Sequence, residues 1–182
     1  IDNPPLAPFT VVTTGSGVTV GFIGAVTDQL PTLVSPAGIA GLTVTDPVAA
    51  VDAQAALLKD GDESNGEADV VVALIHETSS ISRNVSSDVD AVVAGHTHFK
   101  DKEITASGAP VIEPGEYGKA FGHFQLQLDA NNNVVSADAN VVELVADRQD
   151  DNTPPALRPI KCENTPEANP AICAMYMDAL AI

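Results

Sequence analysis

The chain has 182 residues, enough for one domain with a substantial core or for a large piece of a bigger one. Its 25 acidic side chains against 8 basic ones leave a formal net charge of -17, which excludes a polyanion-binding surface, because phosphate backbones are held by clustered Lys and Arg. Hydrophobic residues make up 45% with no Trp, so the core is aliphatic, and no run reaches the roughly 18 consecutive apolar residues of a membrane-spanning helix.

In chain order, residues 9–14 and 18–24 flank Gly15-Ser-Gly17 and read as a β-hairpin with a glycine turn. Gly41-Leu-Thr-Val-Thr45 is a further short strand candidate. Asp46-Pro47 has the form of an N-cap followed by proline in the first helical turn. Val48, Val51, Ala55 and Leu58 follow at helical spacing, and Gly61 stands where a C-terminal cap is expected. Residues 70–75 and 91–94 are continuous apolar runs, the pattern of strands buried on both faces. Strand, helix and strand in this order imply an α/β unit with a parallel sheet, whereas 103–106, 110–113, 119–128 and 133–144 alternate and predict an antiparallel meander. Asp129-Ala-Asn-Asn-Asn133 supplies the last turn.

From Asp147 the composition turns charged and Pro-rich, ending in a helical candidate near 167–180, so the expected domains are 1–146 and a linker over 147–182. The only cysteines, Cys162 and Cys173, lie in that linker with no zinc-ligand pattern around them. A local disulfide between them would close a loop worth about 3 kcal/mol and imply an oxidising compartment, with two free thiols as the alternative. Ile1-Asp-Asn-Pro-Pro5 shows neither the basic nor the apolar region of a targeting signal.

The chemistry gathers on histidine. Each buried run ends in one: Ile75 leads to His76, and Ala94-Gly95 leads to His96, with His98 two residues on. In open parallel sheets ligands bind at the carboxyl ends of the strands, so these imidazoles are expected to converge there. Gly95 would let the chain bend sharply, and an extended Gly-His-Thr-His would point His96 and His98 the same way. Such neutral nitrogen donors suit Zn, Mn, Fe or Ni more than Mg or Ca. One such histidine alone is more simply a surface residue satisfied by water; two buried strands delivering them together reverse that balance. His123 shares a face with Gln125 and Gln127, opposite Phe124, Leu126 and Leu128, and is expected to face solvent. Glu113 and Glu116 flank a turn and read as turn residues.

At His76 and Gly95–His98 the sequence resembles the calcineurin-like metallophosphoesterases, most closely the branch of 5'-nucleotidases and 2',3'-cyclic-nucleotide phosphodiesterases. The resemblance runs from about residue 5 to 145 through Val18-Thr-Val-Gly-Phe-Ile-Gly-Ala-Val-Thr27, Ala68-Asp-Val-Val-Val-Ala-Leu-Ile-His76, Val89-Asp-Ala-Val-Val-Ala-Gly-His-Thr-His98 and Pro110-Val-Ile-Glu-Pro-Gly-Glu-Tyr-Gly-Lys119, in the branch's order and approximate spacing. It implies an α/β fold, part of a four-layer α/β/β/α sandwich with mixed β-sheets, of which this chain looks like the C-terminal half of the catalytic domain. It also implies a two-metal site for Zn, Mn, Fe, Ni or Co, with His76 and His96 on one ion and His98 on the other. The implied substrate is a nucleotide or other small phosphate ester, and the implied location extracellular, periplasmic or at the cell surface.

The departures from the family pattern matter as much. Its Asp-x-His, its Gly-Asp with the bridging carboxylate and its Gly-Asn-His all belong upstream of the matched region, so no catalytic residue is identified in this stretch. Gly61-Asp62 occurs in the acidic loop Lys59-Asp-Gly-Asp-Glu-Ser64 and reads as a turn. Without the anionic bridge two cations would repel each other at close range, which predicts weak or single-metal binding and negligible hydrolysis by this stretch alone. Two other readings stay open: a non-catalytic binding or structural module, and a single zinc held by His76, His96 and His98 with a carboxylate such as Glu113 as fourth ligand. Oligomeric state is left open.

Overall fold

The structure is a computed structural model that describes residues 6–143; the linker, its helix and the Cys162–Cys173 pairing lie outside the described residues. Strands β1 (Phe9–Thr13) and β2 (Thr19–Val26) form the expected antiparallel hairpin, Phe9 opposite Ile23 and Thr13 opposite Thr19. Gly17 turns the chain at φ +91° while the Thr14 hydroxyl donates to the Val18 carbonyl. A short helix α1 (Leu30–Leu33) and a 3-10 turn (Pro36–Ile39) follow. Gly41–Thr45 is not a strand: among the described residues none pairs with it, and Leu42 is 52% exposed. Alternation without a hydrogen-bonding partner leaves the backbone to water.

Helix α2 (Pro47–Leu57) begins as expected, with the Asp46 carboxylate accepting from the Ala49 N–H at 2.9 Å and Pro47 in the first turn. Val51, Ala55 and Leu58 carry its stripe into the core. The helix stops before Gly61, with Leu58 as its cap, and Leu58 fills the core so closely that a Cβ on Gly21 would stand 2.7 Å from its Cδ1. Gly61, at φ +82°, belongs to the acidic loop, where Glu67 accepts its N–H and Asp62 accepts that of Ser64, the turn the sequence implies.

Strand β3 (Val70–His76), helix α3 (Ser79–Ser82), β4 (Ala91–Ala94), β5 (Lys100–Ile104) and β6 (Pro110–Pro114) complete a six-stranded mixed sheet of order β1-β2-β3-β4-β6-β5. Its four central strands run parallel, and the outer two are antiparallel to their neighbours. The predicted meander is therefore corrected. Residues 110–113 are buried on both faces, which inserts β6 beside β4, and only β7 (Ala120–Leu128) and β8 (Val134–Glu143) remain as a separate antiparallel ribbon. The alternation in β5 is that of an exposed edge strand.

Ile23, Val71, Ala73, Ile75, Val92 and Val111 meet α2 on one face of the sheet. On the other, the ribbon comes so close to β6 that a Cβ on Gly122 would fall 2.3 Å from Ile112 Cδ1. Val12, Val26 and Leu74, on that second face, are exposed among the described residues. This α/β architecture with a mixed sheet is the fold class the sequence implies.

Polar groups tie the amino ends of the central strands. Asp69 accepts from the Thr19 N–H at 2.7 Å, from its hydroxyl at 2.8 Å and from Asn132 Nδ2 at 3.0 Å, joining β2, β3 and the ribbon's turn. Asp90 accepts from the Val71 N–H and pairs with Lys59 at 3.1 Å. The Thr19 backbone N–H, then the Thr19 hydroxyl, Asn132 and Lys59 hold the Asp69 carboxyl below its ordinary value of 3.8. A depressed carboxylate stabilises the fold above its unfolded value and loses that contribution as pH falls through the folded one. Asp69→Asn is expected to lower unfolding free energy by about 1.5 kcal/mol at pH 7. In urea titrations that gap should narrow as pH falls below 3.8; a gap unchanged at pH 3 would show that Asp69 acts by shape alone.

Candidate metal centre

The parallel ladder of β3 and β4 sets Ile75 opposite Ala94, so the residues that follow emerge side by side at the carboxyl edge. Thr27 N–H donates to the His76 carbonyl at 3.1 Å and Gly95 N–H to that of Glu77, pinning the end of β3 from both sides. The His76 and His96 rings then meet edge to face, centroids 5.1 Å apart at 67°. Gly95 is not demanded by space, since a Cβ there would stand at an ordinary contact distance of 3.7 Å from His76 Nδ1. The left-handed backbone falls instead on His96, at φ +89°, and on His98, at φ +63°.

That geometry changes the expectation for His98. Because the chain is not extended through Gly-His-Thr-His, His98 turns away from His96. Its Nδ1 lies 2.8 Å from Glu116 Oε2 and its ring 5.8 Å from that of Tyr117. Among the described residues no set of three or more His, Cys, Asp or Glu side chains converges as a metal site. His98 lines a shallow cavity of about 290 Å³ with Lys100, Pro114, Gly115, Glu116 and Lys119. Glu116 also accepts from Lys119 Nζ at 2.8 Å; Lys119 first, and His98 after it, hold its carboxyl below the usual range.

Glu113 is not a turn residue but the last fully buried position of β6. Its Oε1 accepts from Thr97 N–H and hydroxyl at 3.1 and 2.6 Å, and its Oε2 from Ser79 N–H at 3.3 Å. Both of its oxygens are thus engaged beneath the surface by Thr97 and Ser79. Glu77 is likewise buried, accepting from the Thr27 hydroxyl at 2.6 Å and Thr78 N–H at 2.8 Å. A lone Glu inside Pro110-Val-Ile-Glu-Pro114 is the sequence signal that marks Glu113. His123 lies exposed on β7 opposite Asn140, as expected, and takes no part.

The donor set suits a borderline transition metal in part. His76 and His96 are two adjacent imidazoles at one edge, and the Glu116 bond to His98 Nδ1 leaves Nε2 as the free nitrogen, the arrangement in which ligand histidines are held by a carboxylate. Left-handed backbone at a residue with a Cβ costs on the order of 1 kcal/mol. His96→Gly is therefore expected to be about 1 kcal/mol more stable than His96→Ala in urea unfolding. Equal stabilities would mean that position 96 is unstrained.

No family model matches the sequence. The chain is 28% identical over 152 residues to the endonuclease YhcR of Bacillus subtilis strain 168, a match that takes in 76% of this chain and 12% of that protein. Among solved structures it resembles the calcineurin-like phosphoesterase YfkN from Bacillus subtilis, with TM-score 0.62 and 22% identity over 76% of this chain and 51% of that one. It also resembles a putative 5'-nucleotidase from Staphylococcus aureus, with TM-score 0.63, 19% identity, and 94% and 33% coverage. A 5'-nucleotidase precursor from Thermus thermophilus matches with TM-score 0.56, 20% identity, and 96% and 33% coverage. The chain thus spans from 12% to 51% of the length of these proteins, and what it carries is part of the fold of the calcineurin-like phosphoesterases and 5'-nucleotidases.

Proposed function

We propose that this chain is part of a metal-dependent phosphoesterase that hydrolyses nucleotide phosphate esters, of the 5'-nucleotidase or cyclic-nucleotide phosphodiesterase type. Residues 1–146 are the C-terminal half of its catalytic domain, 147–182 a linker, and the whole works outside the cytosol. The observation that carries this reading is the contact of His76 and His96 at the ends of adjacent parallel strands, in a fold whose relatives bear phosphoesterase and nucleotidase names. His76 and His96 supply nitrogen donors for one ion, and His98, oriented by Glu116, supplies one for a second. Divalent ions bound there would offset the charge that develops on the phosphoryl oxygens.

The chain's own residues position these donors and shape the approach. The cavity beside His98 offers Lys100 and Lys119 next to Glu116. The net charge of -17 disfavours a nucleic-acid polymer, whose many phosphates would all be repelled. The remaining metal donors and the bridging carboxylate are assigned to the rest of the parent protein, so the isolated chain is expected to be inactive.

The parent protein, assayed with Mn or Zn on 5'-AMP and on a 2',3'-cyclic nucleotide, is expected to turn one of them over, and His96→Ala to lower kcat/KM by about a hundredfold or more. Unchanged turnover in His96→Ala would sink the assignment. The isolated 182-residue chain should show no turnover of bis(p-nitrophenyl) phosphate with either metal; measurable turnover would overturn its inactivity.

A further inference from the structure

We propose that Glu113 is a positioning residue for the histidine loop: through Thr97 it holds His96 and His98 in left-handed backbone conformations that send their rings to different places. The inference rests on the reading of these histidines as metal ligands, but its first readout does not.

Two residues with side chains, separated by one position, sit at φ +89° and +63°. Backbone of this kind persists only where the surroundings over-determine it. The residue between them is the one held hardest. Thr97 directs both its N–H and its hydroxyl to the same Glu113 oxygen, at 3.1 and 2.6 Å. The other oxygen takes the Ser79 N–H at 3.3 Å, so one carboxylate joins the loop after β4 to the first turn of α3, which itself follows His76 on β3. The upstream end of the loop is fixed separately, by Gly95 N–H on the Glu77 carbonyl.

The location is costly in itself. Glu113 is 0% exposed, and its three donors are one hydroxyl and two backbone N–H groups. A buried carboxylate satisfied only by neutral donors is a poor source of stability compared with an apolar side chain of similar size. What it provides is geometry. Strand β6 pairs with β4 in parallel, Val93 beside Ile112, so the next residue on β6 lies directly under the loop. The Glu113 carboxylate bonds to neither imidazole; it acts through Thr97. Released, the loop would relax toward extended backbone, which turns His98 back toward the His96 side and away from Glu116.

The test uses the full 182-residue chain, with zinc alone as the probe. Without metal, HN–Hα couplings and carbon shifts of His96 and His98 report their backbone conformation by NMR; competition with a chromophoric chelator then gives the zinc Kd. Glu113→Ala is expected to abolish the left-handed signature at both residues and to weaken zinc about tenfold or more. Glu113→Gln, which keeps an acceptor for Thr97, should recover part of both, and Thr97→Val, which removes only the hydroxyl bond, should fall between. Thr105→Val serves as control, because it breaks a buried hydrogen bond to Ala109 at the far end of the β5–β6 hairpin. It should lower Tm while leaving couplings and zinc Kd as in wild type. The proposal is overturned if Glu113→Ala folds with unchanged couplings and zinc Kd, or if Thr105→Val moves them equally. Should Glu113→Ala not fold, unchanged couplings in Thr97→Val and Glu113→Gln overturn it instead. Where the wild-type chain binds zinc too weakly for competition, the couplings alone decide the role of Glu113, and the metal reading is judged by the parent protein's turnover.

Discussion

The parallel pairing of β3 with β4 is the constraint on which the rest depends. Both strands are short apolar runs that can only be satisfied by burial on two faces, and their register places Ile75 level with Ala94. Everything at the carboxyl edge inherits that alignment: His76 and His96 become neighbours, Glu77 receives Gly95, and β6 is drawn in beside β4 with Glu113 at its end. The two edges of the sheet then divide the labour. The amino edge carries Asp69, Asp90 and Lys59, which lock strands together, and the carboxyl edge carries imidazoles and buried carboxylates.

Strain is distributed in the same sense. Of the residues other than glycine with left-handed backbone among those described, His96, His98 and Tyr117 all lie at the carboxyl edge, and only Asn132 sits in an ordinary turn. At His96 and His98 that cost is matched by the buried hydrogen bonds that Thr97, between them, makes to Glu113. Two of the chain's 25 acidic residues, Glu77 and Glu113, are buried at this edge, where each accepts hydrogen bonds from the neighbouring loops.

Much of this is legible in one dimension. The glycine turn between β1 and β2, the Asp46-Pro47 start of α2 and the two buried runs are local signals, each enforced by its own residues, and each stands where expected. The differences have a common origin. Gly41–Thr45 alternates like a strand but finds no partner, and 110–113 alternates like part of a meander although its burial on both faces makes it an interior strand. Alternation describes a side chain's two faces; it does not say which backbone lies alongside. Glu113 and Glu116 look alike in the sequence as turn residues, yet one is sealed beneath Thr97 and the other is the partner of His98.

The sequence by itself determined the main strands and the long helix, the aliphatic core and the identity of the three histidines, because propensity, capping and apolar runs act over a few residues. Only the tertiary structure decided that His76 and His96 meet while His98 turns to Glu116. That choice depends on strand register and on a carboxylate on a strand 16 residues away from Thr97, which folds it into a backbone the local sequence would not adopt alone.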